Sequence, residues 1–178
     1  MLHNLLTPLA DEFIFFNLFR YLTFRSGAAV LTALIVCFVT GPFIIRWLKK
    51  KQREGQPIRT DGPEGHLATK QGTPTMGGVL ILLAVSISTL LWADLTNGYV
   101  WVILFLTVGF GLVGFADDYL KLTRRSHKGV SSRIRLGVEI AISLVAAVWV
   151  IQLTGPELNT ALAVPLFKDV LFELGWFF

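Results

Sequence analysis

Four long apolar runs dominate the chain, and polar segments separate them. The first run, Ala28 to Ile45, is about 18 residues long, which is near the shortest length at which an α-helix crosses a bilayer. The pattern therefore predicts an all-α, polytopic integral membrane protein with a single transmembrane region. The predicted spans are Gly27 to Leu48, Thr75 to Trp92, Tyr99 to Ala116 and Leu136 to Leu153.

The segments between and after the spans differ in character. Lys49 to Gln71 is polar, contains several glycines and prolines, and has neither helical nor strand periodicity. Structureless loops of this length are usually functional or disordered. Val164 to Leu174 carries charges at roughly helical spacing, which predicts a short interfacial helix. Leu174 to Phe178 has the composition of the start of a fifth span, so we expect the chain to be the N-terminal part of a longer protein.

Composition narrows the class of protein. The 178 residues are 53% hydrophobic and only 16% charged, which is too apolar for an ordinary soluble domain. The one cysteine, Cys37, lies inside an apolar run and excludes a disulfide framework. The net charge of +4 comes from basic residues that flank the apolar runs, a pattern of membrane topology, so no nucleic-acid partner is expected.

The distribution of basic residues predicts an orientation. Lysines and arginines are dense in and beside Lys49 to Gln71 and again in Tyr119 to Arg135, whereas the turn Ala93 to Gly98 has none. Cytoplasmic loops carry an excess of lysine and arginine. We therefore expect both basic loops to face the cytoplasm and the N-terminus to face the periplasmic side.

Two adjacent acids, Asp117 and Asp118, follow the third apolar run directly. If the helix ends there, its dipole disfavours carboxylates and a positive partner is needed. One interpretation is a simple cap in which Asp117 pairs with Lys121 one turn later. The other is a Mg²⁺ or phosphate site, since Mg²⁺ takes one or two carboxylates plus substrate phosphates. Adjacent helical residues point about 100° apart, so the two acids should have different roles.

A second candidate site is the segment Lys70 to Gly78, at the start of the second span and on the same side as the acids. Free N–H groups at a helix N-terminus bind anions. The simpler interpretation is a helix entry with Thr73 as N-cap and Pro74 at the first helical position.

The basic residues after the acids form a third candidate. One interpretation is that these residues set the membrane topology and attract lipid headgroups. The other is that they bind a diphosphate. The residues are Lys121, Arg124, Arg125 and Lys128. Glu139 lies one turn from Arg135, so a local ion pair is the default interpretation. Together the three candidates indicate a phosphorylated substrate handled at the cytoplasmic surface.

Several motifs carry a family resemblance, in order and spacing. The chain resembles bacterial phospho-N-acetylmuramoyl-pentapeptide transferases, and the acid pair is shared by the wider superfamily of polyprenyl-phosphate N-acetylhexosamine-1-phosphate transferases. The Asp-Gly-Pro-Glu loop favours the muramoyl-pentapeptide branch. The matching stretches are Asp61 to Glu64, Lys70 to Gly78 and Gly114 to Tyr119.

The resemblance implies an enzyme of the bacterial inner membrane with roughly ten spanning helices. Such an enzyme transfers phospho-MurNAc-pentapeptide from UDP-MurNAc-pentapeptide to undecaprenyl phosphate, giving lipid I and UMP with Mg²⁺, in peptidoglycan synthesis. A third essential aspartate of the family would lie beyond Phe178, so the chain alone is expected to be inactive. A homodimer is compatible with this arrangement.

The resemblance also implies roles for individual residues. Asp117 and Asp118 would activate the lipid phosphate, as base or nucleophile, and hold Mg²⁺. Lys70 and Thr75 match residues near the nucleotide-sugar site. The residues that would hold the diphosphate are Lys121, Arg125 and Lys128. Two alternatives stay open: a transferase of GlcNAc-1-phosphate from UDP-GlcNAc to a polyprenyl phosphate, and a non-catalytic membrane scaffold or transporter half.

Overall fold

Four antiparallel helices make up most of the described structure. The computed structural model describes residues 1–11, 13–52, 76–124, 129–155, 161–164 and 167–173. A short helix α1 (Leu2–Leu6) and two 3₁₀ turns (Pro8–Asp11 and Ile14–Arg20) precede the long helices. These are α2 (Leu22–Lys51), α3 (Gly78–Trp92), α4 (Gly98–Thr123) and α5 (Ser132–Leu153), and a hairpin of β1 (Ala161–Val164) and β2 (Phe167–Glu173) follows.

The helical class and the polytopic arrangement are confirmed. Within the described ranges, α2, α4 and α5 are long and apolar enough to cross a membrane, and α3 is a shorter apolar helix of 15 residues. Only 6%, 17% and 6% of the residues in the apolar windows of α2, α4 and α5 are buried. Apolar surface on this scale needs a bilayer or protein cover, so the chain is part of a multi-pass membrane protein.

Most helix boundaries extend beyond the apolar runs. The third helix was expected to end at Ala116, but α4 continues to Thr123, and α5 starts at Ser132 instead of Leu136. Hydropathy marks the stretch that lies in lipid, whereas good helix formers such as Leu120 and Lys121 continue the backbone hydrogen bonds into the interface. The acids therefore lie almost two turns before the helix end, and the expectation that they sit at the C-terminal dipole is wrong.

The start of α3 also differs from the expectation. The helix was predicted from Thr75, but Met76 has a φ of 70° and Gly77 is the N-cap, so α3 begins at Gly78. A left-handed residue cannot belong to an α-helix, and for a bulky side chain this conformation is uncommon. The expected cap residues, Thr73 and Pro74, lie outside the described residues.

The C-terminal segment is extended where an interfacial helix was predicted. β1 and β2 pair antiparallel, with Ala161 opposite Glu173 and Leu162 opposite Phe172, and the register shifts between Ala163 and Val164. β2 contains two phenylalanines and a valine, which favour strands. Charge spacing over a short segment was therefore a poor guide to its conformation.

Glycines let α4 lie between its two neighbours. A Cβ at Gly111 would collide with the Leu82 side chain of α3, and one at Gly109 would lie 3.2 Å from Ile142 of α5. Small residues at such positions allow helices to approach closely. α4 is thus the central helix, in contact with both α3 and α5.

The end of the bundle away from the acids is held by an aromatic cluster. Trp92 stacks on Phe19 at 5.8 Å between ring centroids and contacts Phe24 edge-on. Its indole N–H donates to Thr32 Oγ1 at 2.8 Å. Tryptophan and phenylalanine at a helix end suit the interface of a bilayer, where the ring is apolar and the N–H needs a partner.

Asp94 closes the turn between α3 and α4 at the same end. Its Oδ1 accepts from the Thr96 hydroxyl at 2.7 Å, from the Thr96 backbone N–H at 3.0 Å and from Asn4 Nδ2 at 2.9 Å. These hydrogen bonds, that of the Thr96 hydroxyl first, lower the pKa of Asp94 to about 2. The carboxylate thereby ties α1 to the turn.

Candidate functional site

Asp117 is a buried carboxylate near the end of α4. The residue is 9% exposed, and its Oδ2 lies 2.5 Å from the Lys121 ammonium nitrogen. Its Oδ1 accepts a hydrogen bond of 2.8 Å from the backbone N–H of Val130. The i,i+4 pair that the capping interpretation expected is present. The second donor comes from a different part of the chain, and both oxygens of the carboxylate are engaged.

The turn before α5 lies directly against this carboxylate. Gly129 is packed so closely that a Cβ there would collide with the Asp117 carboxylate and would come within 2.9 Å of Lys121 Cε. A glycine at this point lets the backbone reach the acid. The chain from Gly129 to Ser131 then enters α5 at Ser132.

A groove of about 1250 Å³ lies between α4 and α5. Its polar end is lined by Asp117, Lys121 and Arg135, and its apolar end by Leu112 and Ile142. A groove that is cationic at the membrane surface and apolar towards the membrane interior matches an amphiphile with an anionic head.

A second cavity of about 480 Å³ lies between α3 and α4. Both acids line it, together with Met76, Gly78 and Arg135. Asp117 thus borders both cavities, and Asp118 borders the second. That the two acids have different roles stays a prediction.

Arg135 is the residue that sequence reasoning passed over. The predicted ion pair with Glu139 is present, with 2.8 Å between Arg135 Nε and Glu139 Oε1. The same side chain nevertheless lines both cavities beside Asp117. Its position in the first turn of the helix after the basic loop was the available signal, and the local acid partner obscured it.

The donor set at this place fits Mg²⁺. Two carboxylates, Asp117 and Asp118, border one cavity, and Mg²⁺ commonly takes one or two carboxylates and completes its shell with water and substrate phosphates. Among the residues that the structure describes, no group of three or more His, Cys, Asp or Glu side chains could hold a metal by itself. A substrate-shared ion suits this arrangement better than a closed protein cage.

The other predicted site residues lie partly within and partly outside the described residues. Lys121 is at the site, against Asp117, and the exposed Arg124 lines the groove between α4 and α5. Lys70, Thr75, Arg125 and Lys128 lie outside the described residues, so their placement stays a prediction.

Comparison with known proteins adds the family. Residues 70–82 match the model described as phospho-N-acetylmuramoyl-pentapeptide-transferase signature 1. The described part of that match, Met76 to Leu82, contributes Met76, Gly78, Val79, Ile81 and Leu82 to the wall of the smaller cavity. The signature and the acid pair therefore meet in space.

Curated relatives named phospho-N-acetylmuramoyl-pentapeptide-transferase match nearly the whole chain. The protein from Granulibacter bethesdensis is 62% identical over 178 residues, which is 100% of this chain and 49% of the relative. That from Gluconobacter oxydans is 60% identical over 164 residues, 92% of this chain and 45% of the relative. That from Syntrophus aciditrophicus is 55% identical over 176 residues, 99% of this chain and 48% of the relative.

The chain spans about half the length of the curated relatives it matches. Identity above 50% along almost all of these residues goes together with the signature at the wall of the acidic cavity. Over nearly its whole length, this chain is therefore similar to about half of the phospho-N-acetylmuramoyl-pentapeptide-transferases and carries their signature 1.

Proposed function

We propose that the intact protein transfers phospho-MurNAc-pentapeptide from UDP-MurNAc-pentapeptide to undecaprenyl phosphate, giving lipid I and UMP. The observation that carries the proposal is the meeting of the family signature with Asp117 and Asp118 in one cavity. The names of the relatives favour the muramoyl-pentapeptide branch over transfer of GlcNAc-1-phosphate.

The neighbouring groove suits the lipid substrate. Lys121, Arg124 and Arg135 offer cationic groups at its polar end, and the wall continues along apolar residues of α4 and α5. A phosphate head beside these cations would place a polyprenyl tail against apolar helix surface. The acids then lie between the place for the lipid phosphate and the cavity walled by the signature.

The proposed reaction is a displacement at phosphorus. An oxygen of the lipid phosphate attacks the sugar-linked phosphorus, the bond from that phosphorus to the bridging oxygen breaks, and the bridging oxygen leaves with UMP. Phosphoryl transfer depends mainly on positioning and on neutralising charge. Lys121 and Arg135 would do both for the phosphates.

The two acids would divide the remaining work. Both oxygens of Asp117 already accept hydrogen bonds, from Lys121 and Val130, so we assign to Asp117 the placing of the Lys121 ammonium. Asp118 would accept the proton of the lipid phosphate as the phosphate oxygen attacks. Asp117 and Asp118 would hold Mg²⁺, which when bound offsets negative charge on the diphosphate.

Location and orientation belong to the same proposal. Basic residues flank the acid-bearing end of the bundle, and cytoplasmic loops carry an excess of lysine and arginine. We therefore propose that this end faces the cytoplasm at the bacterial inner membrane and that the N-terminus faces the periplasm. The proposal of a homodimer would be tested by the mass of the purified protein in detergent.

The test is UMP release by the intact transferase in detergent with undecaprenyl phosphate. We expect release that needs both Mg²⁺ and UDP-MurNAc-pentapeptide, and a fall of about 10²–10⁴-fold for Asp118→Asn, the usual value of acid–base assistance. For Asp117→Asn we expect a lower turnover together with a higher KM for the lipid phosphate.

Three outcomes would contradict the proposal. Turnover with UDP-GlcNAc in place of the muramoyl substrate would indicate the sister branch. No UMP release under any condition would favour a scaffold. Wild-type turnover in both aspartate variants would reduce the acids to caps.

A further inference from the structure

We propose that the Gly129–Val130 turn is a positioning element of the acid pair: it fixes the Asp117 carboxylate, which in turn holds the Lys121 ammonium towards the substrate phosphates. The consequence for turnover rests on the proposed function. The claim about geometry does not, because it concerns contacts within this chain.

The turn supplies one of the two hydrogen-bond donors that fix the orientation of the Asp117 carboxylate. Val130 N–H reaches Oδ1 at 2.8 Å, and Lys121 Nζ reaches Oδ2 at 2.5 Å. A carboxylate held by a donor on each oxygen has its side-chain torsions determined, whereas a pair with Lys121 alone would leave it free to rotate. Since Asp117 and Val130 are thirteen residues apart, the turn also links the end of α4 to the start of α5.

Space, not backbone conformation, is what demands glycine at position 129. Its φ lies outside the left-handed region, so alanine can adopt the backbone. A Cβ there would collide with the Asp117 carboxylate and crowd the Lys121 stem. Either the turn or the carboxylate must move, and a moved turn lengthens or loses the hydrogen bond from Val130.

Two other glycines provide matched controls. A Cβ at Gly155, in the segment after α5, would meet nothing within 4 Å, and the same holds for Gly137 inside α5. Alanine at these positions tests the general effect of removing a glycine from a loop and from a helix, without touching the acid.

The first experiment measures UMP release by the intact transferase. We expect Gly129→Ala to lower kcat by about 10- to 100-fold, the size expected when a hydrogen bond to a charged group is lost. Gly155→Ala and Gly137→Ala should stay within about twofold of wild type, since surface changes of this kind alter free energies by no more than about 0.5 kcal/mol. In a Lys121→Ala background, Gly129→Ala should have little further effect, because residues that act as a unit are non-additive.

The second experiment needs no activity. The coupling free energy between Asp117→Asn and Lys121→Met is measured by denaturant unfolding, once with Gly129 and once in the Gly129→Ala background. We expect the coupling to fall by more than half in the variant and to be unchanged by Gly155→Ala.

The results separate the two proposals. An inactive wild type with coupling that depends on Gly129 would overturn the proposed function and leave the positioning element. Turnover and coupling that Gly129→Ala leaves at the level of Gly155→Ala would overturn the positioning element. A loss of turnover that adds fully to that of Lys121→Ala would also reject it.

Discussion

The ion pair between Asp117 and Lys121 should be the most strongly coupled charge pair at the acidic end of the bundle. The side chains are 12% and 26% exposed, and their charged atoms lie 2.5 Å apart. An exposed i,i+4 pair is worth about 0.3–0.5 kcal/mol. A hydrogen bond to a charged group with limited solvent access is worth about 1.5–3 kcal/mol, so we expect a coupling free energy in that range.

A double-mutant cycle measures this value. Asp117→Asn keeps an acceptor for Val130, and Lys121→Met keeps the aliphatic stem, so the cycle isolates the charge pair. The assay is SDS-induced unfolding in mixed micelles, followed by far-UV circular dichroism. Arg135 and Glu139 form the control pair at the same helical spacing, with 51% and 27% exposure, and should give about 0.3–0.5 kcal/mol.

The two coupling free energies, compared with each other, test whether burial strengthens the Asp117–Lys121 ion pair. A coupling for Asp117 and Lys121 no larger than that of the control pair would refute the reasoning from burial. It would also weaken the claim that the carboxylate is held rigidly enough to position the ammonium.

Three further predictions concern the rest of the chain. Cysteine labelling from outside intact cells should modify a cysteine placed at Asn97 and spare one placed at Gly55, because only the second lies in a basic loop; labelling at Gly55 would reverse the topology. Asp94→Asn should destabilise the fold at neutral pH and progressively less below about pH 4. The reason is that the carboxyl has a pKa of about 2 in the fold and 3.8 in the unfolded chain, so its contribution to stability is complete above pH 3.8 and is lost as the pH falls towards 2. A difference in stability that does not depend on pH would contradict this. Trp92→Phe should cost about 1 kcal/mol, the value of its hydrogen bond to Thr32, and Thr32→Val should then add little; full additivity would show that the bond is not formed.

The helices of this fold were predictable because bilayer crossing imposes a length and a composition. The boundaries of the helices were harder to predict. Once a helix is nucleated its hydrogen bonds continue, so the polar residues after Ala116 stay helical. At the other extreme, the left-handed Met76 had no local signal, because the neighbouring Gly77 and Gly78 were the natural candidates for that conformation.

The site was predictable in part for similar reasons. Residue types identified Asp117 and Asp118, and helical spacing identified Lys121 as a partner. The contact from Val130 could not be predicted, because every residue other than proline carries a backbone N–H and nothing in the side chain marks the donor. The role of Gly129 is visible only when the turn is seen against the carboxylate.

The structure weighs against the acids being mere caps. A cap at a membrane surface is served by an exposed residue, as the neighbouring Arg124 is, and needs no third partner. Asp117 is instead buried, and burial of a charge is unfavourable unless the charge is paired and hydrogen-bonded. Replacing a buried ion pair by apolar residues is often neutral or stabilising, so stability alone does not account for a carboxylate there. We attribute the buried carboxylate to the placement of charge: Asp117 borders two cavities, Asp118 borders the one walled by the family signature, and the turn at Gly129 lies directly against the first acid.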